Sequence, residues 1–222
     1  MELGRPDLII IPGTKSTMAD LAHLREVGLA EAVLRLAGEG IPVLGICGGF
    51  QMLGRSIRDP HRVESQQEEV LARGLLPVDT IFSRGKTTQQ VTGRVAWGKG
   101  LLEGAEGIAG SGYEIHMGQS MQKGMARPFL VQSDGQEPHH DGAADDRGLV
   151  LGTYLHGLFQ EQAFRTAFLN NLRRRKGLAP QRSSAVLSKD ENYDRLADLV
   201  RGSLDMTRIY EICGLEPRAQ QG

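Results

Sequence analysis

Apolar residues alternate between two rhythms along the first sixty positions. Asp7-Leu8-Ile9-Ile10-Ile11 is an unbroken, β-branched apolar run, the pattern of a strand buried on both faces of a parallel sheet, and Pro12-Gly13 ends it. After a turn at 14–17 the spacing of Met18, Leu21 and Leu24 is helical. A second helix carries Leu29, Val33, Leu34 and Leu36 and stops at Gly38 or Gly40. A further strand is expected over 41–46 and a helix from about Gly48 to Ile57. Strand, helix, strand, helix predicts a parallel sheet with helices on both faces.

The rhythm then changes. Residues 59–90 are polar and turn-rich around a short apolar stretch, Leu75-Leu76-Pro77-Val78, and read as an excursion that covers the body of the fold. Short strands are predicted at Val91–Trp97, Tyr113–Met117, Pro128–Gln132 and Leu149–Leu155, and residues 133–148 have the composition of a hairpin loop. Helices over about Gln160–Lys176 and Glu191–Cys213 close the chain, with no repeat or low-complexity tract. The predicted class is α/β: an open, mostly parallel sheet flanked by helices, with an antiparallel extension.

The change of rhythm at 41–54 carries the chemistry. The strand Ile41-Pro42-Val43-Leu44 runs into Gly45-Ile46-Cys47-Gly48-Gly49, and a helical pattern follows. A nucleophile on a sharp strand-to-helix turn needs small residues two places before and two after it, here Gly45 and Gly49. Cys47 then stands at a strand's carboxyl end and at a helix N-terminus, where dipole and free N–H groups favour a thiolate.

Composition narrows the setting. With 222 residues and 40% hydrophobic content the chain supports one good core, so a single domain over 1–222 is expected. A net charge of −1 draws in neither nucleic acid nor an anionic membrane. No apolar run approaches the roughly 20 residues of a membrane span, and Met1-Glu2-Leu3-Gly4 lacks the features of a signal peptide. Two cysteines, Cys47 and Cys213, make no disulfide framework, which fits a reducing cytoplasm.

A cysteine nucleophile needs a proton acceptor, usually histidine. His23 falls in a helical stretch, His61 in the polar excursion, and His139-His140-Asp141 in a loop read as solvated because no ligand set is completed around it. His116 and His156 each follow an apolar strand and precede a glycine within two residues, the place where α/β enzymes gather chemistry. Two phosphate-loop look-alikes fail. Arg84-Gly85-Lys86-Thr87 has Thr80 where a leading glycine belongs and no helix after it, and Gly13-Thr14-Lys15-Ser16 lacks the adjacent Gly-Lys. Arg173-Arg174-Arg175-Lys176 reads as a basic helix end complementing the helix dipole.

Five segments, in order, resemble a known family: Ile11-Pro12-Gly13-Thr14-Lys15-Ser16-Thr17, Gly45 to Gly54, Gly74-Leu75-Leu76-Pro77-Val78, Gly112-Tyr113-Glu114-Ile115-His116-Met117-Gly118, and Gly152-Thr153-Tyr154-Leu155-His156-Gly157-Leu158-Phe159. They are similar to the class I (triad-type) glutamine amidotransferases and, within them, to the C-terminal glutaminase domains of the cobyric acid synthase family. The Pro-Gly-Thr-Lys loop and the Tyr-Glu-Ile-His strand favour that branch over cobyrinic acid a,c-diamide synthase.

The resemblance implies a flavodoxin-like amidotransferase fold and the hydrolysis of L-glutamine. Cys47 attacks the carboxamide, and His156 protonates the departing ammonia and activates water against the thioester. Backbone N–H groups of Gly48 and the Gly13 loop hold the oxyanion. Gln51, and the strand with His116 and Met117, contact the substrate. The place two residues after the histidine, a carboxylate in many triad enzymes, is Leu158 here. That leaves a Cys–His dyad, or a triad completed from elsewhere, with Glu114 as candidate orienting carboxylate. Family members carry an ATP-dependent synthetase domain first, and usually one more strand and helix of the glutaminase domain, before the strand at 7–11. The resemblance therefore implies no cofactor or metal in this chain, ATP and Mg2+ only on that synthetase, and a corrinoid-binding partner. The alternatives are a glutaminase serving another amide ligase, with cobyrinic acid or a cell-wall lipid as acceptor, and a truncated docking domain without turnover.

Overall fold

A computed structural model describes residues 3–72, 74–181 and 189–215. The described residues up to 181 and those from 189 to 215 belong to two separate compact units. In the first, β1 (Ile9–Ile11), β2 (Val43–Ile46) and β10 (Val150–Thr153) lie parallel and side by side, with the short antiparallel β9 (Ala143–Ala144) beyond β10. Ile11 and Gly152 both face Gly45 of β2, so the three parallel strands end at one level.

Alternation along these strands explains the layers. Ile9, Ile11, Val43 and Val150 pack with Val33 and Ala37 of α2 (Leu29–Gly38) and Phe50 of α3 (Gly48–Met52). Leu44 and Leu151 face the other way, against Phe164 and Phe168 of α4 (Gln162–Arg175). A third cluster, around Met18 and Leu21 of α1 (Thr17–Glu26), includes Met52, Ile57 and Phe82. Helices thus cover both faces of the parallel strands, as the sequence pattern predicts.

The antiparallel part is more extensive than the sequence reading gives it. The expected helix to Ile57 stops at Met52, and the chain re-enters a sheet as β3 (Ser56–Arg58). The reason is local: Arg55 N donates to Val78 O at 2.7 Å and Leu76 N to Leu53 O at 2.9 Å, so backbone from 76–78 replaces the next helical turn. Most of the expected excursion is strand: β4 (Glu69–Leu71) and an 18-residue β5 (Val78–Val95), paired along its length with the 14-residue β6 (Ala109–Gln122). Lys86 and Thr87 lie inside β5, at a shift in its register with β6, so no phosphate loop forms there. The supposed hairpin loop contains β8 (His139–Asp141), paired with β7 (Phe129–Gln132), and β11 (Leu155–His156) pairs with β6.

The second unit holds α5 (Lys189–Ser203) and α6 (Met206–Cys213). Asp205 caps α6 by accepting from Arg208 N at 3.0 Å, and Gly214 closes it at φ 65°. One expected helix is thus two, broken at 204–205. Of the single expected domain over 1–222, residues 1–2, 73, 182–188 and 216–222 lie outside the described residues.

Candidate active site

The site forms where β1, β2 and β10 end. Cys47 takes φ 52° and ψ −111°, a left-handed conformation that a side chain adopts only when its surroundings impose it. They do so by close approach. A Cβ on Gly49 would sit 2.0 Å from the Ile11 carbonyl oxygen, and one on Gly45 would sit 2.6 Å from the Gly49 carbonyl oxygen. Backbone meets backbone here, leaving the turn no room to relax. Cys47 N donates to Thr153 O at 2.8 Å, tying the elbow to the end of β10, and its thiol donates to Ile115 O of β6 at 3.3 Å.

His156 reaches the same place from β11. A single point, where a Cβ on Gly13 would stand, lies 3.1 Å from His156 Cε1 and 3.3 Å from Cys47 Cβ. The imidazole and the cysteine therefore flank the Gly13 loop together. The His156 ring stacks on Tyr113, centroids 4.8 Å apart and planes 3° from parallel, and its buried Nε2 has no hydrogen-bond partner. Tyr113 and Ile115 also line a cleft of about 710 Å3 edged by Gln89, Gln90 and Ser111, which opens beside the pair.

Burial sets the protonation of the pair. It pushes the Cys47 thiol up; the Gly48 N–H opposes this, and the charges of Glu64 and Asp141 add to it. It pushes His156 down, helped by nearby His116. Both shifts favour neutral thiol beside neutral imidazole, not the thiolate expected from a helix N-terminus. The helix after Cys47 has only five residues, too short for its dipole to offset desolvation.

The other predicted residues divide. Gly48 is at the elbow, with room for nothing larger: a Cβ there would be 2.8 Å from Thr14 Cγ2 and 3.1 Å from Thr17 Oγ1. Gln51 is buried behind Cys47, its oxygen accepting from Thr17 Oγ1 (3.2 Å) and its nitrogen donating to Tyr154 Oη (3.1 Å), so its amide braces the elbow. His116 donates from Nδ1 to Gly118 O at 2.9 Å and stacks on Tyr154 at 4.1 Å, which commits its ring to holding the strand. The Met117 side chain packs into the third core cluster, leaving only its backbone on the site side. Glu114 is buried and bonded elsewhere: it accepts from Gln89 Nε2 at 2.8 Å and lies 3.3 Å from His139 Nε2. It makes no hydrogen bond to His156 in the structure, so it is not placed as that ring's orienting carboxylate.

Several supports escape sequence reasoning. Asp141, expected in a solvated loop, is fully enclosed. It accepts from Thr153 Oγ1 and, at 3.1 Å, from Tyr154 N, while Thr153 Oγ1 accepts from Leu155 N at 3.0 Å. These bonds fix the break between β10 and β11, one residue from His156. Tyr154 Oη, 2.7 Å from Ser120 Oγ, carries the network on to Thr80. Glu64, in the supposed excursion, accepts from Met18 N at 2.9 Å in the first turn of α1. Thr153 and Tyr154 stand in the Gly-Thr-Tyr-Leu-His-Gly motif itself; nothing in the pattern singles out Asp141 or Glu64. Among the described residues no group of His, Cys, Asp and Glu is placed to hold a metal ion.

A cysteine on a strained strand-end turn, with a histidine from a neighbouring strand across a glycine loop, is the layout that thiol acyl transfer on an α/β sheet calls for. The chain belongs to the family of CobB/CobQ-like glutamine amidotransferase domains, whose model matches residues 1–164. It is similar to a cobyric acid synthase of Dehalococcoides mccartyi, 48% identical over 213 residues, which cover 95% of this chain and 42% of that protein. It is 45% identical over 214 residues to the cobyric acid synthase of Citrobacter koseri, again covering 95% of this chain and 42% of the relative. The chain therefore spans less than half the length of these curated relatives. Among solved structures it shares its fold with PurLQS from Thermotoga maritima, at a TM-score of 0.57 and 19% identity, over 78% of this chain and 82% of that one.

Proposed function

We propose that this chain is the glutamine-hydrolysing domain of a cobyric acid synthase, releasing ammonia for the ATP-dependent amidation of carboxylates on a corrin ring. The observation that carries the reading is the convergence of Cys47 and His156 on the two sides of Gly13; the similarity to cobyric acid synthases supplies the acceptor class.

The geometry supports the following course. Glutamine enters with its carboxamide carbon at Cys47 Sγ. The neutral thiol transfers its proton to neutral His156 as sulfur attacks, so charge is created only when substrate is present. The Gly48 N–H, with a donor from the Gly13 loop, faces the developing oxyanion. His156 passes its proton to the leaving nitrogen, ammonia departs, and the same ring then draws a proton from water as it attacks the glutamyl thioester. Glutamate leaves and the thiol is restored. ATP and Mg2+ would act on a synthetase partner that binds the corrinoid, not at Cys47. The reaction belongs to the cytoplasm, where a free thiol persists; among the described residues no helix is long and apolar enough to cross a membrane.

The test is covalent trapping. Incubated with 6-diazo-5-oxo-norleucine, the protein should gain one adduct by intact mass, absent from Cys47→Ala. An adduct retained in that variant, or one placed on Cys213, would overturn the assignment.

A further inference from the structure

A carboxylate beside a thiol that must become an anion hinders catalysis unless a positive charge meets it. Two carboxylates bear on Cys47, Asp141 and Glu64. Asp141 is fully enclosed and committed to Thr153 and Tyr154. Glu64 is only half-buried, and its surroundings are built to hold it there. The enclosed carboxylate of Asp59 accepts the N–H groups of Val63 (2.9 Å), Glu64 (2.8 Å) and Ser65 (2.9 Å), fastening the loop at both sides of Glu64. Glu64 Oε1 accepts from Met18 N, and its carboxylate lies beside Thr17. Thr17 in turn contacts Gln51 at 3.2 Å and stands 3.1 Å from the Cβ position of Gly48. One residue, Thr17, thus separates this charge from the elbow. A helix cap alone would account for the Met18 bond. It would not call for a carboxylate close enough to bear on the nucleophile.

An amino-acid amide such as glutamine carries the missing cation. Its ammonium nitrogen lies about 5 Å along the extended chain from the carboxamide carbon, so with that carbon at sulfur it reaches the rim of the elbow. We propose that Glu64 receives the α-ammonium group of the substrate, and that this pairing makes the site specific for an amide bearing a free α-amino group. The proposal rests on the glutamine reading above. It gives Glu64 a further effect. Unpaired, its charge opposes formation of the Cys47 thiolate; paired with an ammonium, it opposes it less, so the nucleophile is activated by the arrival of the correct substrate.

Two reagents separate the possibilities: 6-diazo-5-oxo-norleucine and 6-diazo-5-oxohexanoate, the same electrophile without the amino group. In the wild-type chain the amino-lacking reagent should label Cys47 about 30-fold more slowly or worse, the scale of losing one partner from a half-buried charge pair. Glu64→Gln keeps an oxygen for Met18 N. It should slow the amino-bearing reagent by a similar factor and leave the amino-lacking one no slower, or faster, because the unpaired charge that opposes the thiolate is gone. Equal wild-type rates would overturn the proposal without recourse to the variant. So would a variant that slows both reagents alike, since that is the signature of a structural cap. A wild-type chain labelled at Cys47 by neither reagent would overturn the glutamine reading, and this proposal with it.

Discussion

Gly13→Ala separates the two jobs of glycine in this site. Gly13 has no positive φ, so alanine is compatible with its backbone, and the stiffer unfolded chain favours the variant by about 0.4–1 kcal/mol. The new methyl stands 3.1 Å from His156 Cε1 and 3.3 Å from Cys47 Cβ, closer than comfortable by a few tenths of an ångström. The imidazole is what yields, because its Nε2 has no hydrogen bond to hold it. Sliding on Tyr113 forfeits part of a stacking contact worth about 0.5–1.5 kcal/mol. The two effects nearly cancel, so stability should change by less than about 1 kcal/mol. The chemistry has no such compensation. Displacing one reacting group by up to 1 Å costs as much as about 100-fold in rate, so kcat for glutamine hydrolysis should fall about 10- to 100-fold. Gly49→Ala is the contrast. Its methyl meets the Ile11 carbonyl oxygen at 2.0 Å, backbone against backbone, and should cost more than about 4 kcal/mol. Urea denaturation with ammonia release measures both quantities. A Gly13→Ala protein of native stability and undiminished kcat would refute the idea that Cys47 and His156 react across this loop.

Three further outcomes follow from the geometry. With the thiol pushed up by burial and the imidazole pushed down, iodoacetamide should alkylate Cys47 at a rate that climbs through neutral pH into the alkaline range, and the acid limb of glutaminase kcat/KM should lie below the ordinary imidazole value of about 6.5; alkylation that stays flat into the acid range would show a pre-formed thiolate–imidazolium pair. Asp59→Ala removes the acceptor of three backbone N–H groups and should destabilise the chain by about 3 kcal/mol in urea while raising KM for glutamine more than it lowers kcat, because on the proposal above the loop carries the group that holds the ammonium; an unchanged KM would detach that loop from binding. Asp141→Ala leaves the enclosed Tyr154 N–H unpartnered and should cost about 2–3 kcal/mol, with kcat falling and KM little changed, read from denaturation and steady-state kinetics.

The parallel core and the cysteine turn were legible in the chain because local rules set both. An apolar β-branched run can be satisfied only between neighbours, and a cysteine flanked by Gly45 and Gly49 can stand only on a tight turn. His156 was only half legible: it lies at a strand end before a glycine, but so does His116, and the family resemblance alone chose between them. What lay beyond reach depended on partners distant in sequence. Strand β5 carries polar side chains along its exposed middle, Ser83 to Gln90, so its apolar content is diluted below what a strand usually shows; its partner β6 supplies the order. The helix after Cys47 ends early because the backbone of 76–78 captures it. Asp141 looked solvated beside two histidines, yet β8 turns it inward while His139 stays at the surface. Glu114 is a candidate orienting carboxylate in the sequence, where the face it takes along its strand cannot be read; in β6 it stands opposite Leu155, and Tyr113 opposite His156.

Thr153 carries a consequence for how the protein loses activity on heating. Its carbonyl holds the Cys47 N–H, and its hydroxyl holds the amide of Leu155, the residue before His156. Cys47 and the short strand bearing His156 therefore hang from one residue of a central strand, while the Glu64 loop is fastened through Asp59 at the margin of the other sheet. As temperature rises, the margin loosens before the central strand. Failure should come in order: first the grip on the amino acid, seen as a rising KM, and only later the turnover of what is bound. Crowding the protein with substrate would thus postpone its thermal inactivation, and the fold would fail as a binder before it fails as a catalyst.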